Sequence, residues 1–87
     1  MQIEIRRSAY KDLDKIPQHS RAAIEAVIIA IIEARVIADI RNIKKLKGHS
    51  TAYRIRVGDY RIGILFEDNT VNIMRILPRK DIYKLFP

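Results

Sequence analysis

Apolar residues recur along this chain with two periods, and the switch between them divides it. Gln2 to Arg6 alternates Ile3 and Ile5 with polar side chains, the pattern of a short first strand. Tyr10, Leu13 and Ile16 then fall at helical spacing, with Ser8 placed to cap the helix and Pro17 to end it. A second helix is expected from Gln18–Ser20 to about Val36 or Ala38, with Ser20 as its N-cap. Ala22, Ala23, Ala26, Val27, Ala30 and Ile31 would suffice to cover a sheet. Ile24, Ile28, Ile29 and Ile32 carry the apolar surface further round the helix. A helix of this kind is expected to be covered on more than one side, by a neighbouring helix or by another chain.

Period two returns at Tyr53. Tyr53, Arg54, Ile55, Arg56 and Val57 alternate apolar and basic, which places both arginines on one face of a half-buried strand. Gly58-Asp59 has the composition of a two-residue hairpin turn. With that loop, Val57 faces Tyr60, Arg56 faces Arg61 and Gly63 faces Arg54. Tyr60, Ile62, Ile64 and Phe66 supply the apolar face of the second strand, and Glu67 to Thr70 a polar turn. Val71 to Leu77 reads as the next strand, with Val71, Ile73 and Leu77 toward the core. Arg75 shares their parity and breaks the pattern, which a bulge or a side chain reaching past the sheet edge would resolve. Pro78 stops the ladder. Arg79 to Phe86 can form a last helical turn, with Tyr83 four residues after Arg79 and on the same face. Asp39 to Lys47 remains as a basic connector in which Leu46 plugs the core.

These elements predict a single α+β domain over residues 1–87 in the order β-α-α-β-β-β. A mainly antiparallel sheet packs against two N-terminal helices, and a short helical turn follows at the C-terminus.

Charge narrows the partners. Seventeen Lys and Arg against ten Asp and Glu give a net charge of +7, a balance suited to nucleic acid, an acidic protein or an anionic surface. There is no tryptophan to build a platform for many bases. No cysteine is present for a disulfide or thiolate site. The longest apolar stretch, Ala26 to Ile32, is too short for a bilayer, and the first residues lack the apolar core of a signal peptide. The expectation is a soluble, cytoplasmic protein with no membrane partner.

Like charges facing each other in a sheet are destabilising. Arg54, Arg56 and Arg61 on one face therefore cost stability unless a polyanion sits there, and Gly63 would leave floor space for it. A solvated basic face is the plain alternative. Lys44, Lys45 and Lys47 flank the hairpin and are candidate phosphate contacts, as is Lys80. Two separated histidines and scattered carboxylates offer no metal set, and neither a Gly-rich phosphate loop nor a nucleophilic triad is present. No cofactor is implied.

Guanidinium groups and tyrosines remain. Arginine binds phosphate bidentately and stabilises charge developing on a transferring phosphoryl group. One reaction asks little more of a protein: RNA cleavage by the substrate's own 2′-hydroxyl. The protein must align that hydroxyl, stabilise a pentacoordinate phosphorane and move protons. Arginine, with a pKa above about 12, is a poor proton acceptor. Tyr83 and Tyr53 are the better candidates for a base, if nearby positive charge lowers the phenol pKa.

The order of elements, Leu46-Lys47-Gly48, the run from Tyr53 to Ile62 and the terminal Pro78-Arg79-Lys80-Asp81-Ile82-Tyr83 resemble the RelE/ParE superfamily of toxins from toxin–antitoxin pairs. The resemblance spans nearly the whole chain. RelE-type members are ribosome-dependent mRNA endonucleases that cut in the decoding site without metal. ParE-type members share the fold but inhibit DNA gyrase by binding. The resemblance implies a catalytic set of Arg54, Arg56, Arg61, Arg79 and Tyr83. In it Arg61 and Arg79 stabilise the phosphorane, Arg54 and Arg56 hold flanking phosphates, and Tyr83 orients the nucleotide or moves a proton. RelE-like sequences usually carry lysine where this chain has Arg54 and Arg56, which bears on the identity of the base. The resemblance also implies a cognate antitoxin, mRNA in the ribosomal decoding site with contacts to rRNA, and operator DNA reached only through the antitoxin. A gyrase inhibitor, or an inactive member that only binds antitoxin, are the alternatives it leaves.

Overall fold

Alternation in the C-terminal half of the chain builds most of the sheet, and the helical segments close over one side of it. The computed structural model describes all 87 residues. Strand β1 (Gln2–Ile5) is followed by α1 (Arg7–Asp14), α2 (Gln18–Glu33) and a 3₁₀ turn (Ile37–Asp39). Then come β2 (Ile43–Lys45), β3 (Ala52–Val57), β4 (Tyr60–Glu67), β5 (Thr70–Pro78) and α3 (Arg79–Leu85). The five strands lie in the order β1-β5-β4-β3-β2. Only the β1–β5 pairing is parallel. The expected α+β architecture is present, with one strand more than the sequence reading counted. Three residues of the supposed connector, Ile43–Lys45, add β2 to the edge of β3.

The hairpin has the expected register: Val57 faces Tyr60, Arg56 faces Arg61 and Arg54 faces Gly63. Gly58 has φ +59°, which the turn requires and glycine accepts without strain. Between β4 and β5, Asp68 and Asn69 both take left-handed conformations, as a tight hairpin turn needs. The misfit at Arg75 is a bulge. Ile64 pairs with Ile73 and Gly63 with Arg75, so Met74 is the extra residue. After it the parity inverts. Ile76, not Leu77, enters the main core, and Leu77 turns to the opposite face.

The sheet thus has two different faces. On one, Ile55, Ile62, Ile64, Val71, Ile73 and Ile76 pack with Ala9, Ile16, Ile24, Ile31 and Ile40 from the helical layer. Each isoleucine or valine among them contributes roughly 1.5–3 kcal/mol by leaving water. On the other, a smaller cluster of Ala52, Ile82 and Phe86, with Leu46, Leu65, Met74 and Leu77 around it, seats α3. Leu46 is a plug, as expected, but for this second cluster.

Several helical details differ from expectation. Ser20 lies inside α2, whose N-cap is Pro17, and α2 stops at Glu33. Ala34 is extended (ψ 143°), which lets Ile37 and Ile40 return to the core. Ser8 lies inside α1 and its hydroxyl donates to the Met74 carbonyl at the bulge (2.6 Å) instead of capping. The face of α2 turned to the sheet is Ile24, Val27, Ile28 and Ile31; Ala22, Ala23, Ala26 and Ala30 are exposed. Ile29 and Ile32 are exposed too, at 55% and 48%, so no element of this chain covers that side.

Candidate active site

The arginine face of the sheet and the first turn of α3 meet at one residue, Tyr83. Pro78 presets the entry to α3, and the Arg79 amide donates to the Asp59 carbonyl in the β3–β4 turn (3.0 Å). Ile82 is fully buried, which turns Tyr83 outward over the arginines. The Arg54 guanidinium lies 4.4 Å from the centre of the Tyr83 ring, a cation–π contact. Arg79 Nε donates to the Tyr83 hydroxyl at 3.4 Å, the i, i+4 relation expected from the sequence.

The other arginines are held by neutral acceptors. Arg61 donates to the carbonyls of Gly58 and Tyr60 (both 2.9 Å), which turns it back along its own hairpin. Arg56 donates to Asn42 Oδ1 (3.4 Å), and its amide donates to the Asn42 carbonyl. Asn42 takes φ 61°, a conformation asparagine tolerates better than most residues. These contacts give each of the two facing guanidinium groups neutral acceptors of its own. None of these guanidinium groups has a carboxylate within 4 Å, the one such ion pair in the molecule being Asp12–Arg75, although Asp59 lines the cleft beside Arg61 and Arg79. The charge stays available to an anion.

Tyr83 feels that charge. The hydrogen bond from Arg79 holds its phenol below the ordinary tyrosine value, with slight burial opposing and the charges of Arg79, Arg54 and Arg61 assisting. The same hydrogen bond raises Arg79. Tyr53, the other candidate base, is half-buried among the residues packed on the main core and is removed from this site.

Three grooves converge on Tyr83. A cavity of about 250 Å³ is lined by Asn42, Lys44, Arg54, Arg56, Arg61 and Tyr83. A cleft of about 690 Å³ on one side brings in Arg79 and Lys80 beside Arg61. A groove of about 480 Å³ on the other holds Lys44, Lys45, Lys47, His49 and Arg54. Arg54, Arg56, Arg61, Arg79, Tyr83, Lys44, Lys45, Lys47 and Lys80 therefore border one continuous surface, whereas Tyr53 does not. Lys45 reaches it from the edge strand, because it pairs with Tyr53 and belongs by register to the opposite face. The proposed floor at Gly63 is not open. The Phe86 ring occupies it, and a Cβ on Gly63 would sit 2.7 Å from two ring atoms. Asn42 and Lys84 at this surface were not anticipated. Asn42 had one signal, a polar residue preceding a basic run, which is too common to single it out.

The chain is similar to known proteins along nearly its whole length. Residues 3–83 match the family model described as the ParE toxin of the type II toxin–antitoxin system parDE. The chain is 40% identical over 88 residues to Toxin RelE3 of Methanocaldococcus jannaschii, with both chains fully covered. The toxin of a RelB-RelE antitoxin–toxin complex from Methanococcus jannaschii superposes with a TM-score of 0.81 at 38% identity, covering 95% of this chain and 98% of that one. The RelBE2 toxin–antitoxin complex of Mycobacterium tuberculosis gives 0.72 at 25% identity, covering 90% and 96%.

Proposed function

The chain belongs to the ParE toxin family of type II toxin–antitoxin systems, and from that premise we propose that it is a RelE-type toxin. In this reading it is a ribosome-dependent, metal-independent mRNA endonuclease that stops translation and is held in check by a cognate antitoxin. Relatives named RelE, and neighbours solved as antitoxin–toxin complexes, support the toxin role and the partner. The nuclease reading is supported by one observation: Arg54, Arg61 and Arg79 gather about Tyr83 and none of them is held in an ion pair.

The chemistry follows from that arrangement. The Tyr83 phenolate takes the proton of the 2′-hydroxyl. The 2′-oxygen attacks the adjacent phosphorus, the bond to the 5′-oxygen breaks, and that oxygen takes a proton from solvent. The products are a 2′,3′-cyclic phosphate and a 5′-hydroxyl. Arg61 and Arg79, in one cleft with Tyr83, stabilise the phosphorane, where fixed donors act most strongly on developing charge. Arg54 and Arg56 hold the flanking phosphates, and Lys44, Lys45, Lys47 and Lys80 extend the track. Arginine at positions 54 and 56 suits phosphate binding and leaves proton transfer to the tyrosine.

Primer extension on an mRNA in a reconstituted translation reaction tests this, with wild type beside Arg79→Ala and with purified RNA in EDTA as control. Cuts confined to ribosome-bound message and lost in the variant are expected. No cuts from folded, antitoxin-free protein would sink the nuclease reading. The name of the matching family model favours a second reading, inhibition of DNA gyrase by binding, for which a supercoiling assay is the test.

A further inference from the structure

We infer that Gly63 and Phe86 are positioning residues for the Tyr83–Arg79 pair: the Phe86 ring, seated on the bare backbone of Gly63, fixes α3 against the sheet and so holds both side chains over the arginine cavity. The mechanistic part of this inference rests on the nuclease reading above.

A helix of seven residues has no stability of its own in water. The order of α3 must come from what it touches. Its N-terminal end is tied by the Arg79–Asp59 hydrogen bond, and its middle by Ile82, which is fully buried. Beyond its C-terminal end, Phe86 is 7% exposed and its amide donates to the Ile82 carbonyl (3.0 Å). Tyr83 lies between those last two anchors.

Gly63 makes the last anchor possible. It does not take a left-handed φ, so the backbone does not require glycine there; the space does. A Cβ at this position would lie 2.7 Å from Phe86 Cδ2 and Cγ and 2.9 Å from Cδ1. Cγ is the root of the ring, so the whole side chain would have to move, and it is buried among Ala52, Leu46, Leu65, Met74 and Leu77. Gly63 also faces Arg54 across the ladder. Phe86, Arg54 and Tyr83 line the same groove. Displacing the ring therefore disturbs the cation–π contact and the Arg79–Tyr83 hydrogen bond together.

The test uses the full chain as Gly63→Ala, Phe86→Ala, Phe86→Leu and the Gly63→Ala/Phe86→Ala double variant. Hydrogen exchange is expected to speed up at the α3 amides by at least about tenfold in Gly63→Ala while β3 and β4 stay protected. The Tyr83 phenol, followed by NMR, should titrate closer to an ordinary tyrosine as the arginine charges lose their fixed geometry. Cleavage at saturating ribosomes should fall by up to about 10²-fold with the half-saturating concentration little changed, as for a misplaced catalytic group. Adding Gly63→Ala to Phe86→Ala should change nothing further, because the alanine methyl then meets no ring. Unchanged exchange and titration in Gly63→Ala, or strictly additive effects in the double variant, would overturn the inference. If Gly63→Ala does not fold, Phe86→Leu decides: normal α3 exchange and Tyr83 titration there refute it. Exchange and titration need no substrate, so wild-type protein that fails to cleave would remove the nuclease reading and leave this assignment standing or falling by itself.

Discussion

Among the ionisable groups of the candidate site, Tyr83 is the one whose proton the neighbouring charges bring closer to use. The phenol is lowered chiefly by the Arg79 hydrogen bond, and a base must be deprotonated to act. Cleavage should therefore rise with pH through a limb lying below the ordinary tyrosine value. Arg79→Ala removes both the hydrogen bond and the nearest charge, so the limb should move to higher pH while the rate at any fixed pH below it falls. Tyr83→Phe should abolish the limb and cost on the order of 10²–10⁴-fold, the usual range for a positioned acid or base. Single-turnover cleavage against pH checks all three. At this scale the sequence was informative where spacing alone fixes a contact, as for Arg79 and Tyr83 in one helical turn. The alternation from Tyr53 to Val57 already set Tyr53 on the face opposite the arginines, whereas the seating of Tyr83 over them depends on how α3 docks, which no local pattern reports.

At the scale of elements, the bulge at Met74 decides what α3 rests on, and Asp12 holds the bulge. Its carboxylate, nearly buried, accepts from Arg75 Nε (2.8 Å), Arg75 Nη2 (3.0 Å) and the Ile76 amide (3.0 Å). Asp12→Ala strands a buried amide and an arginine together and should cost about 1.5–3 kcal/mol, the range for a hydrogen bond to a charged group. Asp12→Asn keeps an acceptor and should cost less. Urea unfolding with an unchanged slope measures both. On α2 a contrast is expected: Ile31→Ala should cost about 2–5 kcal/mol, whereas Ile29→Lys and Ile32→Glu should stay within about 0.5 kcal/mol, since neither exposed side chain packs on the core. The hairpin was legible residue by residue, because alternation and Gly58-Asp59 fix its register locally. Arg75 betrayed a bulge, but its location depends on Asp12 far away in sequence. The rotation of α2 was illegible for a different reason. With isoleucine on every side, periodicity cannot choose a face. Nor does the three-residue β2, two of whose residues are lysine, carry enough pattern to be seen.

The whole molecule separates its chemistry by layer: the helical layer and main core on one face of the sheet, the cluster of Arg54, Arg56 and Arg61 and α3 on the other. A net charge of +7 could attract RNA without any such arrangement, and the two explanations part company in salt. Binding that neutralises placed phosphates releases counterions, so the affinity for a single strand falls with salt at a slope of about −0.7 per phosphate contacted. Arg54→Ala and Lys11→Ala each remove one positive charge. Arg54 stands over Tyr83 at the convergence of the grooves, and Lys11 is exposed on α1 in the opposite layer. If the cluster is the interface, Arg54→Ala should lower the magnitude of the slope by about 0.7 and Lys11→Ala should leave it unchanged. Fluorescence anisotropy across a series of KCl concentrations reads the slope, using an RNA oligonucleotide with 2′-deoxy residues to block cleavage. Equal shifts in the two variants would mean that total charge draws the RNA and that the convergence on Tyr83 has no part in holding it. A shift confined to Arg54→Ala would show that RNA charge is read where the arginines converge, the result that the layered separation of this fold requires.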